Sequence, residues 1–198
     1  MFKRTKGYVL LTLLVITGLA SQVKNETLRT QERRILLQHL KDSKKDFIAS
    51  IEDLKNHQLD FKSTASSLSI RDNIGQLNEI ECSLWKIACK KLETDKETDK
   101  AVKSAHVDEN IKNLAGKASC NRSKLKGNCD QLEKQFKENR AVLIKYVKTT
   151  TEDVRKQVVE TPYGNLDIYQ VLLLIAAETE RITLEIDKIK QDPSFPKS

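Results

Sequence analysis

Ile168, Leu172, Ile175, Thr179, Ile182, Ile186 and Ile189 alternate in steps of four and three through the last part of the chain. That spacing winds an apolar stripe along one face of an α-helix and demands a matching surface to cover it. It predicts a long helix over 167–191 within an all-α four-helix bundle. Residues 171–177 are apolar on every side, which requires enclosure by the chain's own fold or a surface shared in a homodimer. Pro193 and Pro196 close this helix, and Thr161-Pro-Tyr-Gly forms the turn ahead of it.

Three further helices have the same kind of stripe. The first spans 28–56, with Leu36, Leu40, Phe47, Ile51 and Leu54 on one face. Polar residues from His57 onward break its period. The second opens at Ser69, where Asp72 three residues on supplies an approximate capping box, and its stripe is Ile70, Ile74, Leu77 and Leu84. The third runs from 130 into the 150s with Leu132, Phe136, Leu143 and Val147 on one face. A long polar connection, 92–128, joins helices two and three. It carries a tandem Glu-Thr-Asp-Lys repeat at 93–100, a short helix over 107–114, and Gly116, Gly127 and Asn128 as punctuation.

At 198 residues the chain suits one domain preceded by an export signal. Residues 1–20 combine a basic start (Lys3, Arg4, Lys6), an apolar run and small residues before a cleavage point, so they read as a signal peptide. The run is too short for a comfortable membrane span, and an uncleaved anchor is the alternative. The bundle domain is then 21–198, with no stable membrane span after cleavage and a periplasmic or secreted location. The net charge of +7 includes those three cations; without them 32 basic residues face 28 acidic ones, well mixed. No basic stripe interleaved with aromatics is present, which argues against nucleic acid.

Export would place Cys82, Cys89, Cys120 and Cys129 in an oxidising compartment. Cys82 and Cys89 stand about 10 Å apart along a helix, too far to pair with each other. The expectation is two bridges from the second helix to the segment around 120–129, attached on the side away from the Leu77–Leu84 seam. A four-thiolate zinc site is the rival, although the six- and eight-residue gaps miss the usual knuckle spacing.

The segment Ala176-Ala-Glu-Thr-Glu-Arg-Ile-Thr183 resembles the end of DinB-like proteins, small four-helix bundles that hold a divalent metal such as zinc or nickel between three histidines. Their pattern there reads Ala-Ala-His-Thr-Glu-Arg-His-Thr. Leu68-Ser-Ile-Arg-Asp-Asn-Ile-Gly-Gln-Leu77 resembles the family's stretch around its first metal histidine. Tyr163-Gly-Asn-Leu-Asp167 and Asp192-Pro-Ser-Phe-Pro-Lys197 are similar to exported members. The resemblance implies the bundle fold. It also places Gln76, Glu178 and Ile182 where the three histidines would stand, so the metal site is substituted and no cofactor is expected.

The chain's own histidines, His39, His57 and His106, match none of these positions. Glu178 and Glu185 flank one edge of the last stripe and, with Gln76, would form a polar trio. That trio is either a residual pocket or an inert rim. The expected role is non-catalytic, binding a small ligand or a protein in the cell envelope, with no catalytic residues. The alternative is a metal-dependent hydrolase or thiol transferase with an altered, carboxylate-containing site.

Overall fold

The computed structural model describes residues 28–98 and 129–197. The signal-peptide segment 1–20, the connection from 99 onward, His106, Cys120 and the Cys129 side chain lie outside the described residues. Among the described residues five helices and one hairpin follow in order: α1 Thr30–Ile51, α2 Asn56–Leu59, α3 Ile70–Thr98, α4 Cys129–Thr149, β1 Val158–Thr161, β2 Gly164–Asp167 and α5 Ile168–Lys190. The fold is mostly helical, in keeping with the all-α expectation.

The caps explain where helices begin. Ser69 Oγ accepts from the Asp72 amide at 3.1 Å while the Asp72 carboxylate accepts from the Ser69 amide at 3.0 Å, the reciprocal box expected at α3. Asp167 and Gln170 form the same arrangement at α5, at 2.8 and 2.9 Å.

Helix ends depart from the expectations in three places. The first helix stops at Ile51 instead of reaching 56, because Asp53 adopts a left-handed φ of 62°. The chain then re-enters a single turn, α2, which buries Leu59 against α3. The second helix continues to Thr98, through the first half of the charged repeat, since Glu and Lys propagate a helix and neither Gly nor Pro stops it. The third helix ends at Thr149, short of the 150s, where Arg33 of α1 donates to the carbonyls of Val147 and Thr150.

The turn at Thr161 proves to be the tip of an antiparallel hairpin, with Thr161 opposite Gly164 and Val158 opposite Asp167. Gly164 takes a φ of 102°, a conformation open to glycine at little cost. Thr161 Oγ1 accepts from the Tyr163 amide at 3.1 Å and donates to the Gly164 carbonyl at 2.8 Å, closing the tip. Val159 and Thr161 point inward and Val158 and Glu160 outward, the strand period that seats β1 on α3.

The long helices touch in a ring: α1 meets α5, α5 meets α3, α3 meets α4, and α4 meets α1. Two apolar clusters fill the ring. One joins Leu36 and Leu40 of α1 to Trp85 and Leu92 of α3, Leu143 and Val147 of α4, and Leu172 and Ile175 of α5. The other joins Phe47 and Ile51 to Ile74 and Leu77, Leu132 and Phe136, and Ile182 and Ile186. The early residues of α1 and α5 thus lie beside the late residues of α3 and α4, so the two pairs run in opposite directions. Val171, Leu172, Ile175 and Ala176 of the all-round apolar run are buried in the first cluster, while Leu173 and Leu174 are only partly covered. Beyond α5, Phe195 stacks edge-on against Phe61 at 5.3 Å, and Gln58 donates to the Pro196 carbonyl at 3.0 Å.

Candidate functional site

Of the two readings of the polar trio, the settings of Gln76, Glu178 and Glu185 resemble the rim more than a pocket. Gln76 points to solvent, between buried Gly75 and Leu77 on the outer side of α3. Glu178 is buried, but its carboxylate is engaged by the Arg181 guanidinium at 2.9 Å on the same helix. Glu185 is half-exposed and pairs with Lys188 at 2.7 Å. Ile182 is fully enclosed in the second apolar cluster. Of the three positions that the histidine pattern would use, one faces water, one is held by an arginine and one has no donor atom. These residues do not fit a metal. Among the described residues no group of three His, Cys, Asp or Glu side chains could hold a metal ion. His39 is half-buried on α1, its pKa lowered by burial against the opposing pull of Asp42, and His57 is exposed on α2.

The cysteines also depart from expectation. Cys82 and Cys89 are buried, and Cys89 packs within the first apolar cluster instead of facing away from the seams. The interior-facing surface of α3 is wider than one stripe, because both α4 and α5 lie against it. Cys89 carries a free thiol, so the two-bridge arrangement fails at this residue. Burial pushes that thiol's pKa up to about 12, with Glu93 adding to the shift, so it stays protonated and unreactive at neutral pH.

What the fold does bring together is a polar layer between the two apolar clusters. Arg140 of α4 is wholly buried, and its Nε lies 2.7 Å from Oε1 of Glu81 on α3, which is 1% exposed. The angle makes this contact an ion pair more than a linear hydrogen bond. Arg140 Nη1 donates to the Leu40 carbonyl at 3.3 Å and to Ser43 Oγ at 3.1 Å, both on α1. Its Nη2 donates to Thr179 Oγ1 of α5 at 2.6 Å, and that hydroxyl donates onward to the Ile175 carbonyl at 2.8 Å. The guanidinium also lies 5.2 Å from the centre of the Phe136 ring. One side chain therefore touches all four long helices.

Burial raises the pKa of the Glu81 carboxyl, against the opposing charges of Arg140 and Lys44. Burial likewise lowers that of Arg140, with Glu81 opposing. Among the described residues Glu81 Oε2, Asn78 Oδ1 and Asn139 Nδ2 have no hydrogen-bond partner, although the Asn78 amide donates to the Leu132 carbonyl at 2.9 Å.

This layer was readable in the stripes. Glu81 falls four residues after Leu77 and three before Leu84, and Arg140 four after Phe136 and three before Leu143. Ser43 and Thr179 occupy the same kind of place on α1 and α5. At this level each seam is interrupted by a polar side chain, and a charged residue inside an apolar stripe is the signal.

Outside the core, the Arg155 guanidinium reaches Glu32 at 2.7 Å and Asp167 at 3.2 Å and lies 3.9 Å from the centre of the Tyr169 ring. It joins the start of α1 to the start of α5. A groove of about 480 Å³ runs between α1 and α5, lined by Asp46, Glu180, Asp187 and Lys190 among others. Among the described residues no helix is long and apolar enough to cross a membrane.

Comparisons with protein-family models, with curated proteins and with solved structures give no match.

Proposed function

We propose that this chain is an exported, DinB-like four-helix bundle that has lost its metal site and serves as a non-catalytic ligand- or protein-binding module of the cell envelope. The observation that carries the reading is the fate of the three histidine positions: exposed Gln76, arginine-bound Glu178 and core-buried Ile182 do not converge. The ring of contacts among the four long helices supports the bundle, and the Arg140 guanidinium at its centre is taken up by Glu81, Ser43 and Thr179. On the outer surface, the acidic groove between α1 and α5 is one opening where binding fits this reading. Export rests on the composition of residues 1–20. With Cys89 free, a single bridge from Cys82 to Cys120 or Cys129 is the form of staple that fits this reading.

One preparation tests both parts. The protein is produced without a His-tag in an oxidising compartment, then submitted to elemental analysis and to thiol titration in denaturant. The expected result is no stoichiometric metal and two titratable thiols. One equivalent of zinc, nickel or manganese bound at micromolar affinity, and lost in Glu178→Ala, would replace this reading with that of a metal-dependent enzyme. Four titratable thiols would remove the staple.

A further inference from the structure

We infer that the Glu81–Arg140 layer sets the axial register of the four long helices, acting as a conformational device that selects one packing over its slipped alternatives. Four aliphatic stripes with four-three spacing are nearly self-similar under a shift of one turn, about 5.4 Å. Leu, Ile and Phe at one level can be exchanged for Leu, Ile and Phe at the next with little loss.

The polar interruptions are not interchangeable with their neighbours. Ser43, Glu81, Arg140 and Thr179 each sit in a different seam, and in the observed register all four meet at one level between the two apolar clusters. Moving α4 by a turn would carry Arg140 into the Phe47–Leu132 cluster or the Trp85–Leu143 cluster and leave Glu81 buried without its cation. Burying a charge without a partner is among the largest penalties a core can incur. A lone polar residue within an apolar seam is also the best-attested way for helices to specify alignment at some cost in stability.

Two variants of the full chain test the inference. E81L/R140M makes the layer apolar and removes the penalty for slippage. It should still melt cooperatively, but its amide NMR spectrum should show extra or broadened peaks. Protection of the slowest-exchanging amides should fall by about tenfold or more as registers interconvert. E81Q/R140Q keeps the layer polar without formal charge and should retain one set of peaks. A single sharp set of wild-type-like peaks from E81L/R140M would overturn the inference, because register would then survive without the layer. So would failure of E81L/R140M to fold, since the pair would then be required for stability itself. Mixed conformers in E81Q/R140Q would overturn it as well, by showing that a polar layer at that level does not choose the register.

Discussion

Replacing Arg140 with Met leaves the Glu81 carboxylate in the core without its ion-pair partner, with Lys44 as the remaining opposing charge, and Ser43 and Thr179 lose a donor at the same time. Arg140→Met should therefore cost about 3–5 kcal/mol in urea unfolding, the range for breaking one side of a buried pair. A loss under about 1 kcal/mol would mean that Glu81 takes up a proton at little expense and that the pair contributes little. The same residue shows what a stripe-by-stripe reading passes over. Leu132, Phe136, Leu143 and Val147 are all buried as their spacing requires, yet the largest fully buried side chain of α4 is the arginine between them. Glu178 teaches the converse. Its burial was foreseeable from its place at the stripe's edge, whereas its partners are Arg181, one turn away on its own helix, and Tyr163 at the tip of the hairpin.

Elements begin where local chemistry says they should. Asp167 caps α5 through the Gln170 amide and also receives Arg155, so one carboxylate starts the helix and fastens it to α1 by way of Glu32. Asp167→Ala should lower stability by about 1–2 kcal/mol, chiefly by loss of the cap. Thermal melts of the wild type and variant check this, and an unchanged Tm would show that Arg155 and Glu32 hold the junction without it. Ser69 and Asp72 make the equivalent box at α3, which was legible in the sequence because a cap is a contact across three residues; the Asp167 box is of the same kind but was not read there. Helix ends were less so. The stop after Ile51 depends on a left-handed Asp53, which sits before a turn that repacks Leu59 on α3. The hairpin at 158–167 is short, and its inward residues Val159 and Thr161 find their cover on a helix distant in sequence.

Across the whole molecule, acidic groups gather where α1 and α5 meet. Burial raises the pKa of Glu180, and the nearby carboxylates of Asp46 and Asp42 raise it further. A carboxyl whose folded pKa exceeds its unfolded value of 4.5 binds its proton more tightly in the folded state. The resulting penalty is fully present above the folded pKa and fades as pH falls through it toward the unfolded value. Glu180→Gln should therefore raise the Tm at pH 7, by an amount worth less than about 1 kcal/mol for a half-exposed group. The gain should shrink as the pH approaches 4.5. A gain that is the same at both pH values would mean that packing, not charge, is responsible.

The helical character, the four long stripes and two of the helix starts follow from interactions within a few residues: periodicity that sums along one face, and caps that close on themselves. A helix's own sequence specifies the direction in which each side chain leaves the axis, and so which residues form its seam. It does not specify the level at which one seam meets another. That level depends on the axial offset between helices far apart in the chain, and only packing fixes it. Tertiary structure therefore decided that Gln76, Glu178 and Ile182 would not share a site, and that Ser43, Glu81, Arg140 and Thr179 would. An offset of one turn makes little difference to an aliphatic side chain, but it is prohibitive for a buried charge.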